Sequence, residues 1–155
     1  MGNIITHKIK KLAFGTDHTA TKIRGKVKNY LQSSGYEIED FGFNGDSSCD
    51  YPDFALKVSK AILTKRADKG ILICGTGIGM SIAANKIKNV IAATCWDENT
   101  AKLAAQHNAA DIICLGSRTT ALDDICHRIE IFLRTQFEER HSQRIKKIKE
   151  IEKQY

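Results

Sequence analysis

The chain has 155 residues, 42% hydrophobic and 27% charged, which is the profile of one soluble globular domain able to bury its own core. Its net charge of +6 sits at the ends: Lys8, Lys10 and Lys11 carry +3, residues 140–155 carry +4, and the body between them is −1. No basic face interleaved with aromatics, no membrane-length apolar run and no secretory signal is found, so nucleic acid and membrane are not expected partners and the cytoplasm is the expected compartment. Five scattered cysteines (Cys49, Cys74, Cys95, Cys114, Cys126) without a C-x-x-C pair argue against a disulfide framework and against a zinc site.

In chain order, Leu12–Gly15 reads as an apolar strand running into Thr16-Asp17-His18. A helix is expected from Thr21, with Ile23, Val27, Tyr30 and Leu31 on one face and Gly35 past its end. Tyr36–Phe41 reads as a second strand, and 42–50 as a turn-rich loop. Pro52, the only proline, fits the first turn of a helix carrying Ala55, Val58 and Ile62. Ile71–Cys74 is a strand apolar on both faces, followed by glycines at 75, 77 and 79 and an Ala-rich helix over 80–86. A fourth strand is expected over 90–95, and Asp97 as the cap of a helix running to about Gln106. A fifth strand covers 111–115. A long helix then carries Leu122, Ile125, Ile129, Phe132, Leu133 and Phe137. Residues 1–10 are expected to be a flexible N-terminus. Residues 140–155 form a last helix whose narrow seam of Ile145, Ile148 and Ile151 must lie on the body or on a partner subunit. The alternation of strand and helix predicts one domain, a three-layer α/β/α sandwich around a five-stranded parallel, Rossmann-like sheet.

The stretch from Gly70 to Lys86 is the chemical centre of this pattern. Backbone N–H groups in a glycine loop approach an anion closely, and the following helix adds its positive N-terminus. The loop lacks the Gly-Lys-Ser/Thr ending of a Walker A motif and fails G-x-G-x-x-G in both frames, so what remains is a cradle for an anion or oxyanion without a dinucleotide. Cys74 stands at its lip, where a helix N-terminus favours the thiolate, whereas Cys95, Cys114 and Cys126 read as small buried hydrophobes. In open parallel sheets, ligands bind at the carboxyl ends of the strands. Asp17 and His18, Trp96 and Asp97, and Ser117 with Arg118 all follow strand ends. Each also has a bland reading: Asp17 as a helix cap, His107 as a favourable charge at a helix end, the arginines as surface charge. Arg140 and Arg144, four apart, could fork onto one phosphate from a shared helix face.

The segments GTDH at 15–18, DYP at 50–52, GILICGTGIGMSIAANK at 70–86, QHN at 106–108, GSR at 116–118 and RHSQR at 140–144 together resemble the ribose-5-phosphate isomerase B family of sugar-phosphate isomerases, from about Lys11 onward. The resemblance implies interconversion of ribose 5-phosphate and ribulose 5-phosphate through an enediolate, without metal or organic cofactor. It implies Cys74 as the base, backbone N–H groups of Gly75, Thr76, Gly77, Ile78 and Gly79 around the developing charge, and Thr76 assisting at the hydroxyls. His107 would open the furanose ring, Asp17 and Asn108 would hold sugar hydroxyls, and His18, Arg140 and Arg144 would grip the phosphate with Arg118 nearby. Some members place a glutamate base where this chain has Met80, so the cysteine subgroup is indicated. The chain departs from the pattern at Thr19-Ala20, where the family usually has Ala-Gly. Active sites between two subunits imply a homodimer or a tetramer built from it. The competing readings are a hexose-6-phosphate isomerase of allose or galactose type and a non-catalytic sugar-phosphate-binding module.

Overall fold

The computed structural model describes residues 9–155; part of the expected N-terminal segment, 1–8, lies outside the described residues. Strands β1 (Lys11–Thr16), β2 (Glu37–Asp40), β3 (Lys69–Cys74), β4 (Ala92–Thr94) and β5 (Ile112–Gly116) pair in parallel, in the order β2-β1-β3-β5-β4. Helices α1 (Thr21–Ser33), α2 (Tyr51–Leu63), α3 (Ile78–Ala84), α4 (Glu98–Gln106), α5 (Leu122–Arg134) and α6 (Ser142–Gln154) follow the strands or close the chain. Among the described residues no helix is long and apolar enough to cross a membrane.

The period-2 alternation of each strand divides the core between the two sheet faces. Leu12, Phe14, Ile71, Ile73, Ile113 and Leu115 face α1, α4 and α5. Ala13, Leu72, Cys74, Ile112 and Cys114 face α2 and α3. β3 is the middle strand, buried from Gly70 to Cys74, as its unbroken apolar run requires. Register places Gly70 opposite Ile112 at the amino edge of the sheet and Cys74 opposite Gly116 at the carboxyl edge.

Several ends differ from expectation. α3 begins at Ile78 and not at Met80, because Gly77 takes φ +79° and turns the chain straight into the helix. α5 stops at Arg134: Thr135 is extended and its hydroxyl folds back onto the Ile131 carbonyl at 2.6 Å, so Phe137 falls outside the helix. β4 is only three residues, since the chain must turn at Trp96 into the Asp97–Thr100 capping box. The expected caps hold elsewhere, with Gly35 at φ +92° after α1 and Pro52 in the first turn of α2. α6 buries no residue and leaves Ile148 and Ile151 exposed; Glu152 accepts the Asn89 N–H at 2.7 Å.

β2 is tied down electrostatically. Arg24 makes a two-pronged contact with Asp40 (Nε–Oδ1 3.1 Å, Nη2–Oδ2 2.9 Å), Lys28 lies 3.3 Å from Oδ2, and the Gly42 N–H donates to Oδ1 at 2.9 Å. Burial alone would raise the Asp40 carboxyl, but the Arg24, Gly42 and Lys28 contacts outweigh it and hold the group below the ordinary carboxylate value. Arg24→Met is therefore expected to lower stability by about 2 kcal/mol at neutral pH. Because the folded-state value is depressed, this contribution is present above the unfolded value and is lost as pH falls. The gap in urea midpoints between wild type and variant should close below about pH 4.

Candidate active site

Two groups of polar residues emerge, at opposite edges of the sheet. At the carboxyl edge, β1 delivers Asp17, β3 delivers Cys74 and β5 delivers Ser117. Asp17 N–H donates to Ile73 O at 3.2 Å and Ser117 N–H to Cys74 O at 2.8 Å, so both neighbours are stitched to the end of β3. Cys74 is 4% exposed, and the Gly77 N–H donates to its Sγ at 3.2 Å, a contact that a thiolate accepts better than a thiol. Gly77 is irreplaceable by geometry: besides its left-handed φ, a Cβ there would stand 2.9 Å from the Leu115 nitrogen. Thr76 is exposed, with its hydroxyl accepting from Ile78 N–H at 3.3 Å. Gly75 lies along the Arg118 side chain, and Gly79 is packed so tightly on the Tyr51 ring that a Cβ would meet it at 2.7 Å. His18 Nδ1 accepts the Cys49 N–H at 3.3 Å, which leaves Nε2–H as its free donor.

Cys95, Cys114 and Cys126 behave as buried hydrophobes. Burial pushes Cys95 up to about 12, Cys114 well above the usual thiol range, and Cys126 upward as well. Cys49, beside His18, is raised by burial and by the Asp17, Asp50 and Asp53 carboxylates, against the His18 contact.

The second group sits at the amino edge. α4 runs back across the sheet, so His107 caps its far end, with exposed Asn108 beside it, a few residues before β5 begins. The Lys69 ammonium at the start of β3 bonds Ala110 O at 2.6 Å, which fixes this corner as the amino edge. Glu138 N–H donates to Gln106 O at 2.8 Å and brings up the segment 138–144. There His107 and His141 stack at 4.1 Å, Arg140 Nη2 lies 3.4 Å from His107 Nε2, and Arg144 Nη1 lies 2.6 Å from His141 Nδ1. The arginines do converge, but Arg140 belongs to a 3-10 turn (Glu139–His141) ahead of α6, so they do not share a helix face as expected. Burial, together with His107 and the two arginines, lowers the His141 imidazole; Glu138 opposes this only in part. Glu138 itself is held low, first by its hydrogen bond from Arg140.

His107, Glu138 and His141 offer three ligand atoms within 4.8 Å of one another, a spacing that suits a metal ion. The arginines argue otherwise. Arg144 donating to Nδ1 makes His141 the Nε2–H tautomer, and Arg140 occupies both His107 Nε2 and Glu138. Two fixed cations and a buried Nε2–H that makes no hydrogen bond, with the Glu138 carboxylate 3.8 Å away, suit an anion better than a metal cation.

Within one chain, then, Asp17, His18, the loop from Cys74 to Gly79 and Arg118 come together, and His107, Asn108, Arg140 and Arg144 come together elsewhere. The six residues of β3 separate the two groups by roughly 16 Å. Tyr51, Ser117 and His141 join these groups without having been assigned roles from sequence. Each lies inside or next to a quoted motif, but only packing shows what it touches.

The Ribose/Galactose Isomerase family model matches residues 12–148. The chain belongs to that family. Among family relatives, Escherichia coli ribose-5-phosphate isomerase B is 38% identical, over 93% of this chain and 97% of its own length. A putative sugar phosphate isomerase of Rickettsia conorii is 43% identical, over 92% of this chain and 99% of its own. Among solved structures, type B ribose 5-phosphate isomerase of Leishmania infantum superposes with a TM-score of 0.90 at 45% identity, covering 94% of this chain and 98% of that one. The Mycoplasma genitalium ribose-5-phosphate isomerase B with bound ribulose-5-phosphate gives 0.88 at 38% identity, covering 96% and 100%. Family membership and the parallel α/β fold are thus established together.

Proposed function

We propose that this chain interconverts ribose 5-phosphate and ribulose 5-phosphate in a site completed by a second copy of itself. The observation that carries the reading is the Cys74 sulfur, receiving the Gly77 N–H at the lip of a glycine loop in a chain of the Ribose/Galactose Isomerase family. The M. genitalium relative, crystallised with ribulose-5-phosphate, supports the choice of sugar.

In this reading His107 of a second copy opens the furanose ring, and Asp17 and Asn108 hold the sugar hydroxyls. The Cys74 thiolate removes the proton from C2, and the C1 carbonyl oxygen takes the charge as an enediolate forms. Backbone N–H groups of the 75–79 loop face that charge, which develops only during turnover and so lowers the barrier without over-stabilising substrate. The thiol returns its proton to C1, and the O2 proton passes to O1 with Thr76 at hand. His18 and Arg118 from one copy and Arg140 and Arg144 from the other would share the phosphate. With that end so held, the glycine loop is left to the reacting end of the sugar.

Two groups of essential residues on opposite edges of one sheet cannot act on one pentose phosphate, and a homodimer, alone or paired into a tetramer, is the simplest remedy. Exposed apolar residues support such a surface: Ile78 and Ile82 stand one turn apart beside the glycine loop, Trp96 follows β4, against which α3 packs, and Ile148 and Ile151 line α6.

The test is proton exchange in heavy water. Ribose 5-phosphate incubated with the protein should form ribulose 5-phosphate with deuterium entering from solvent. Exchange with allose or galactose 6-phosphate and none with ribose 5-phosphate would move the substrate to the hexose series. Binding without exchange would make the protein a non-catalytic module.

A further inference from the structure

Asp17 is one of the most buried polar residues of the carboxyl edge, 4% exposed, and both of its hydrogen-bond donors come from one neighbour. Thr19 N–H donates to Asp17 Oδ1 at 2.9 Å and the Thr19 hydroxyl to the same oxygen at 2.6 Å. Ser117 Oγ lies 3.1 Å from both the Thr19 hydroxyl and the Thr19 carbonyl. Proton inventory fixes the direction of this chain. A carboxylate only accepts, so the single hydroxyl proton of Thr19 goes to Asp17, and Thr19 Oγ1 can only accept from Ser117, whose one proton it shares with the Thr19 carbonyl. The run ends on the carboxylate.

Its place in the fold is informative. β1 and β5 both border β3 but not each other, and they stand about 10 Å apart, two strand spacings. Thr19 and Ser117 bridge that gap over the end of β3, where Cys74 sits and where Ser117 N–H holds the Cys74 carbonyl. Capping of the short turn His18–Ala20 needs only the bond from Thr19 N–H to Asp17. The hydroxyl bond is additional, charge-assisted and short, and it falls on the oxygen that the Thr19 N–H already engages, fixing the carboxylate from a second direction. With both donors on Oδ1, Oδ2 keeps its accepting capacity for a ligand.

We infer that Thr19 is a positioning residue for the isomerisation: its hydroxyl, backed by Ser117, locks the Asp17 carboxylate in the orientation that accepts a sugar hydroxyl. This rests on the reading of Asp17 as a sugar-hydroxyl acceptor. A support of this kind makes binding geometry and no bond to reacting atoms, so its loss should appear in KM more than in kcat.

The experiment compares variants in steady-state kinetics with ribose 5-phosphate. Thr19→Val keeps the shape and the N–H bond and removes only the hydroxyl. It should raise KM about tenfold, equivalent to about 1.4 kcal/mol, with kcat changed less than about twofold. Thr19→Ser should stay within about twofold of wild type. Thr19→Ala and Thr19→Ser differ only in the hydroxyl, so they give the same comparison should the valine variant melt early. Unchanged KM in Thr19→Val, or a serine variant as impaired as the alanine one, overturns the inference. Asp17→Asn separates the two levels. If it is impaired while Thr19→Val is not, Thr19 alone is wrong; if Asp17→Asn has the wild-type KM, the role of Asp17 falls and this inference falls with it.

Discussion

Cys74→Ala should fold, bind ribose 5-phosphate and fail to turn it over, with kcat down about 10³-fold, the scale of a lost general base. The fold has little to lose. The side chain is small, sits in the core facing α2 and α3, and is 4% exposed, so truncation removes one sulfur and the acceptor of the Gly77 N–H. The proposed phosphate grip has less to lose still, because none of His18, Arg118, Arg140 or Arg144 has a hydrogen bond to Cys74. The expected signature is therefore KM within a few-fold of wild type beside a collapse of kcat. Cys74→Ser sharpens the point. Serine accepts the Gly77 N–H as well as cysteine does, yet its hydroxyl does not ionise near neutral pH, so it should be nearly as inactive as alanine. Turnover in Cys74→Ser within about tenfold of wild type would mean that the group at this position orients the substrate and another base moves the proton.

The contrast among the five cysteines shows how far sequence alone reaches. Cys95, Cys114 and Cys126 lie in or beside apolar strand and helix faces, and the sequence reading as inert hydrophobes agrees with their upward displacement by burial. Cys74 is as buried as they are. What sets it apart is the glycine after it, and that is visible in the one-dimensional pattern. The same holds for the sheet, whose strands follow period-2 or unbroken apolar runs, and for Gly35, Pro52 and Asp97, whose roles are local. Misplaced ends arose where a long-range or backbone feature decided the outcome. The end of α5 depends on the Thr135 hydroxyl turning back on Ile131, and the start of α3 on the left-handed Gly77. Neither has a periodicity to betray it.

The candidate site residues could be named one by one from the sequence, but not their arrangement. Reading polar residues after strand ends finds Asp17, His18, Cys74 and Arg118. It also selects Asp97, which is spent on capping α4. That rule cannot find His107, because a helix that returns antiparallel to its strand deposits its last residue at the other edge. Tyr51 was legible only as a letter in a motif, since its contact with Gly79 spans two helices distant in sequence. Thr19 and Ser117 are 98 positions apart and meet because the strand order places β1 and β5 on either side of β3.

That separation of the two groups leads to the second large effect, which concerns two inactive proteins regaining activity together. Cys74→Ala and His107→Ala should each be nearly inactive alone. A site assembled from the carboxyl edge of one copy and the amino edge of another behaves differently when the two variants are mixed and refolded. A hybrid dimer then has one site carrying both lesions and one site carrying neither. With equal amounts and random pairing, half the dimers are hybrids and half of their sites are intact, so activity should return to about a quarter of wild type. Arg140→Ala and Arg144→Ala should complement Cys74→Ala in the same way and should not complement His107→Ala, because they share its edge. The pattern of pairs therefore maps each residue to an edge without a structure of the dimer. A mixture of Cys74→Ala and His107→Ala that stays as inactive as its parents, while size exclusion shows hybrids present, would place both residues in one subunit's site. It would require residues 138–144 and the end of α4 to leave the amino edge and cross about 16 Å of sheet, against the backbone bond from Glu138 to Gln106 and the stacked histidines that hold them there.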